Sequence, residues 1–114
     1  MITLLLACAP NTVPVEPQTL ISESGAYTFA LEHEAFVAFD EVQLILLGHE
    51  DASIRLTPWM PDHGHGIADE PVVQSEDGMH VASWAFIMPG YWELTFEIDG
   101  EYGSDTAVAG WNVR

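Results

Sequence analysis

Apolar and polar residues alternate most cleanly at Trp92, Leu94, Phe96 and Ile98, which are interleaved with Glu93, Thr95, Glu97 and Asp99. A period of two predicts a strand with one face in a core and the other in water. Met79 through Met88 reads as one longer strand, with His80, Ala82, Trp84, Phe86 and Met88 on a common face. Thr106 to Val113 repeats the pattern through Ala107, Ala109, Trp111 and Val113. Val42 to Gly48 is apolar on both alternating faces, as expected of a central strand covered on both sides. Shorter runs at Thr19–Ile21, Ala26–Glu32, Ser53–Trp59 and Val72–Gln74 complete the set, and Phe36–Phe39 reads as a brief strand or a bend. Pro58 puts the end of its run at a sheet edge.

Turn signals separate these runs. Glu76-Asp77-Gly78 is a strong turn, and Met88-Pro89-Gly90-Tyr91 has proline and glycine where a type II turn wants them, so the chain is expected to fold back there as a hairpin. No segment shows a convincing helical period. About seven short strands with regular turns predict an all-β fold, an antiparallel β-sandwich of immunoglobulin-like type without its cysteine pair.

The chain of 114 residues suits one domain with an apolar core. That domain is expected over residues 19–114. Ahead of it, residues 9–18 carry Pro10, Pro14 and Pro17 among small and polar residues, which favours an extended tether. Residues 1–8 are an apolar run ending in Leu5-Leu6-Ala7-Cys8, which resembles the bacterial lipobox of a partial signal segment; Cys8 is then the lipidated residue and the membrane partner is reached through that lipid. The competing reading is a short apolar strand with an inert buried cysteine.

Charge narrows the partners. Two basic residues, Arg55 and Arg114, face eighteen acidic ones for a formal net charge of -16. Such a surface repels phosphate and anionic headgroups, which excludes nucleic acid as a partner and favours cations.

The chemically dense stretch is Trp59-Met60-Pro61-Asp62-His63-Gly64-His65-Gly66. Residues two apart on extended backbone project to one side, so His63 and His65 can converge on one ion, while Met60 adds a thioether. Met88, also followed by proline at a strand end, is the fourth candidate, because a sandwich gathers its loops at two poles. Imidazoles and thioethers without a thiolate favour copper, Cu(I) over Cu(II). The competing readings are an exposed glycine-rich loop for the histidines and core filling for Met88. His33 and His49, flanked by acids, read as solvated turn residues, and Trp59 and Trp92 as core or shielding residues.

With the second motif, Phe86-Ile87-Met88-Pro89-Gly90-Tyr91-Trp92-Glu93-Leu94, residues 36–113 resemble the YtkA-like and FixH-like group of bacterial envelope proteins. The resemblance implies an immunoglobulin-like sandwich on the outer side of the cytoplasmic membrane or in the periplasm, often lipid-anchored and associated with copper handling. Carried over by position, Met60, His63, His65 and Met88 are its metal residues. The function expected is a non-enzymatic copper-binding envelope lipoprotein that sequesters copper or passes it to a donor or acceptor protein. The alternative is a metal-free immunoglobulin-like adhesion or assembly module that binds a basic protein partner. An enzyme is disfavoured, since no serine or cysteine has a base at a recognisable spacing and the paired acids lie in apparent turns.

Overall fold

A computed structural model describes residues 18–114. Cys8 and the expected tether, apart from Gln18, lie outside the described residues. The strands are β1 (Gln18–Ile21), β2 (Thr28–Glu32), β3 (Glu41–Leu47), β4 (Ser53–Trp59), β5 (Val72–Glu76), β6 (Met79–Ala85), β7 (Gly90–Gly100) and β8 (Gly103–Val113). They form two antiparallel sheets, in the orders β1-β2-β3-β6-β5 and β4-β7-β8. With β2 to β8 taken as strands A to G, the orders are ABED and CFG, the immunoglobulin constant arrangement, and β1 is an added edge strand beside A. Among the described residues no helix is long and apolar enough to cross a membrane.

Alternation creates the core. Leu44, Leu46, Leu56, Ala82, Leu94 and Phe96 are almost wholly buried between the sheets, and burial of each larger side chain contributes about 1.5–3 kcal/mol. In β7 every apolar residue of the alternating run is buried and its Glu and Asp neighbours lie on the other face. The expectation of a doubly covered β3 is corrected: Val42, Leu44 and Leu46 are buried, but Ile45 and Leu47 are only partly covered. A two-layer sandwich has one apolar interior, so the outer face of even a central strand meets solvent.

A second correction concerns the connection after Phe86. The long strand ends at Ala85, and residues 86–89 carry the chain from one sheet to the other instead of forming a hairpin. Strand β6 already pairs with β3 and β5, and β7 with β4 and β8, so the two strands have no free edges to share. The Asp77-Gly78 turn does make a hairpin, between β5 and β6, and both residues have positive φ (52° and 79°), as a type I′ turn requires.

The loops fall at two poles. The β2–β3, β4–β5 and β6–β7 connections lie at one, where Phe39 N–H donates to the Phe86 carbonyl (2.8 Å) and Ala38 N–H to the Arg114 carbonyl (2.7 Å). At the other, Tyr27 Oη donates to the Gly103 carbonyl (2.6 Å) and accepts from Tyr102 N–H (2.9 Å), tying the first sheet to the β7–β8 turn.

Asp105 fastens the β1–β2 turn to β8. Its carboxylate accepts from the Ser24 hydroxyl and from Thr106 N–H (2.9 Å), and Glu23 N–H donates to the Thr106 carbonyl (2.8 Å). The Ser24 hydroxyl, with smaller help from Ser22 and the backbone, holds the Asp105 carboxyl at about 2 against an ordinary 3.8. A depressed carboxyl pKa contributes stability that is fully present above the unfolded value and is lost as pH falls through the folded one. The Asp105 carboxyl resonance is therefore expected to titrate near pH 2. In Asp105→Asn the loss of stability between pH 4 and pH 2 should shrink; a parent midpoint near 3.8 would contradict the assignment.

Candidate functional site

Strand β4 leads into the dense loop at the first pole. Met60 and His65 form a lone β-bridge, with Met60 N–H donating to the His65 carbonyl (2.8 Å). Gly64 N–H returns to the Met60 carbonyl (2.8 Å), and Gly64 adopts φ 68°, which closes Pro61 to Gly64 into a tight turn. The stretch is thus a short hairpin rather than a loose loop. Pro61, Asp62, His63 and Gly64 are exposed, and His65 is half-buried.

The two imidazoles come together, with ring centroids 5.8 Å apart and a tilt of 37°. Rings that share one ion at metal–nitrogen distances of about 2.0–2.1 Å have centroids roughly 6 Å apart or less, so the spacing fits a shared ion. His65 Nδ1–H donates to the Gly66 carbonyl at 3.0 Å, which fixes the tautomer and leaves Nε2 as the lone-pair nitrogen. Behind the loop, the His65 ring meets Trp92 edge-on at 5.7 Å.

The thioethers lie deeper. Met60 is 2% exposed, so it is a floor to the loop and part of the core rather than a group at its mouth. Its methyl carbon lies against Gly90: a Cβ there would come within 2.3 Å of Met60 Cε. Met88 is partly buried against the core, and its carbonyl accepts from Trp92 Nε1–H at 3.0 Å. All four sequence candidates therefore fall at one pole, linked through Gly90 and Trp92. Among the described residues, no three His, Cys, Asp or Glu side chains are arranged to hold a metal.

The remaining histidines are not free turn residues. His33 stacks on Phe36 (4.3 Å, 15° between planes) and its ring nitrogens bond to Gln18 Oε1 (3.1 Å) and the Glu34 carbonyl (2.8 Å). His49 is half-buried, lies edge-on to Tyr27 at 5.0 Å, and its Nε2 accepts from Thr28 N–H at 3.2 Å. His49 is held by β2 and His33 reaches Gln18 on β1 as well as its own loop, and adjacent acids in sequence do not reveal those strand partners. Trp92 is core as expected, but Trp59 is 44% exposed on the outer face of edge strand β4.

A serine–histidine pair escapes sequence spacing because it forms across the β5–β6 hairpin. Ser75 Oγ–H donates to His80 Nδ1 at 2.5 Å, and His80 Nε2–H donates to the His49 carbonyl at 2.9 Å. His80 is wholly buried, and these two bonds satisfy both ring nitrogens.

The chain matches no protein-family model, no curated protein and no solved structure.

Proposed function

We propose that this protein binds copper at the first pole, through His63 and His65 with the thioethers of Met60 and Met88 behind them, and sequesters the ion or hands it to a partner. In this reading Cys8 carries a lipid that keeps the domain at the bacterial envelope. The observation that supports it most is the imidazole pair at 5.8 Å, in which His65 Nδ1 is engaged by the Gly66 carbonyl and Nε2 is left to bind. A hydrogen bond from the other ring nitrogen to a backbone carbonyl is the usual companion of a metal-ligating imidazole.

Among the described residues no third imidazole or carboxylate joins the pair, and in this reading the further donors are the two thioethers. Thioethers favour a soft ion and hold Cu(I) without releasing a proton, unlike a thiol. The exposed face of the hairpin suits ligand exchange, and the buried floor limits the number of ligands that follow the ion. The formal charge of -16 raises the local cation concentration.

Competition titrations against a Cu(I) chelator test the reading. The variant His63→Ala/His65→Ala is expected to lose affinity by at least tenfold. Met60→Leu conserves volume and should keep the fold within about 1.5 kcal/mol while weakening Cu(I) more than Cu(II). Equal affinity in parent and the double histidine variant would sink the proposal.

A further inference from the structure

The turn between β2 and β3 holds a residue that folding does not favour. Phe39 has φ 74°, the left-handed region that Cβ sterics disfavour in any bulky L-residue. The residue is 73% exposed, more than any other large hydrophobic residue among the described residues. Glycine or asparagine would take the same backbone with less strain and without an aromatic surface in water. Two backbone bonds hold the turn in place, from Phe39 N–H to the Phe86 carbonyl (2.8 Å) and from Ala38 N–H to the Arg114 carbonyl (2.7 Å). Strain kept in place by its surroundings, on a residue whose side chain packs so little, is a signature of function.

The neighbours extend the patch. Ile87 follows the carbonyl that holds Phe39 and is 41% exposed, and Val37 is 40% exposed. Beside them is an open hollow whose lining includes Glu32, Glu34 and Glu41. An apolar anchor next to a hollow bordered by three acids defines its complement.

We infer that Phe39, with Ile87 and Val37 around it, is the anchor of a docking surface for a basic protein, whose apolar pocket receives the Phe39 ring while lysine or arginine side chains enter the acidic hollow. Aromatic anchors of this kind carry most of the energy in protein interfaces, and the acidic rim steers the approach. A second copy of this chain is a poor occupant, because each carries a formal charge of -16. An anionic bilayer is repelled for the same reason. Ile87 directly precedes Met88, so a docked partner would lie beside the copper loop; the docking surface itself stands without the metal.

The test pans a random-peptide display library against the immobilised full chain and measures the enriched peptides, made synthetically, by calorimetry. The expected peptides combine apolar residues with lysine or arginine. Their affinity should fall about tenfold or more in Phe39→Gly, in line with a hot-spot residue, fall in Ile87→Ser, and weaken as salt rises. Phe39→Gly should also melt no lower than the parent, which separates lost docking from lost structure. The inference is overturned by no enrichment, by peptides without basic residues, or by binding that Phe39→Gly leaves intact. It is equally overturned if Phe39→Gly melts lower than the parent, if Phe39 drives binding to phosphatidylcholine vesicles instead, or if Phe39→Gly abolishes a dimer. Copper affinity measured on the same variant should be unchanged, so failure here and failure of the copper reading are told apart.

Discussion

Trp92→Ala is expected to lower the unfolding free energy by about 3–5 kcal/mol, read from urea denaturation at neutral pH. Trp92 is wholly buried at the start of β7, with its ring 5.0 Å from Phe86 and 5.7 Å from His65. Its Nε1–H donates to the Met88 carbonyl at 3.0 Å. One side chain therefore fills the core at the first pole and ties the sheet-crossing segment to the His63–His65 hairpin. Truncation leaves a cavity between Phe86, His65 and the Met88 carbonyl, which come from two different connections. Small domains have only about 5–15 kcal/mol of stability, so the variant should be near its folding limit. Trp92→Phe keeps much of the packing and should cost roughly 1–3 kcal/mol, from the smaller ring and the lost bond to a part-buried carbonyl. A loss below about 1 kcal/mol in the alanine variant would contradict the packing described.

Gly90→Ala should cost about 2–4 kcal/mol, from two separable causes. Gly90 has φ 134°, a region that side chains rarely adopt, and the new Cβ would come within 2.3 Å of Met60 Cε. The end of a methionine is normally free to move aside, but Met60 is 2% exposed and enclosed by the core. A double-mutant cycle separates the two causes. In a Met60→Ala background the overlap is gone and only the backbone strain remains, so Gly90→Ala should cost about 1 kcal/mol less there than in the parent. Purely additive effects would show that the Met60 methyl does not rest on Gly90.

The strands were legible because a sandwich imposes its period on each of them separately. Trp92, Leu94, Phe96 and Ile98 are buried in the order their alternation predicts, and the Asp77-Gly78 turn declares its hairpin through local conformational preference. The Met88-Pro89-Gly90 segment carried equally good turn chemistry, yet it crosses between sheets. Turn residues report a local change of direction; which strand the chain pairs with next depends on which edges remain free. Ile45 departs from the sequence expectation for a related reason: its hydrophobicity does not reveal that only one face of β3 has a second layer.

Within the candidate site, residue types and the His63–His65 spacing could be read from order along the chain. The depth of each group could not. Met60 and Phe39 show the inversion: the polar-looking loop buries its methionine, whereas the apolar Phe36–Phe39 segment leaves Phe39 in solvent. A bond to Arg114, another to Phe86, and the space beneath Gly90 decide those outcomes, and all involve partners more than twenty residues away.

By itself, the sequence determined the all-β class, most strand positions, the acidic surface and the donor types available to a metal, since composition and a period of two are local properties. Tertiary structure alone decided the strand order, the sheet-crossing after Phe86, and the meeting of Met60, His65, Met88 and Trp92 at one pole. Those depend on which edges pair and which side chains share one interior, and neither is a property of any single stretch of chain.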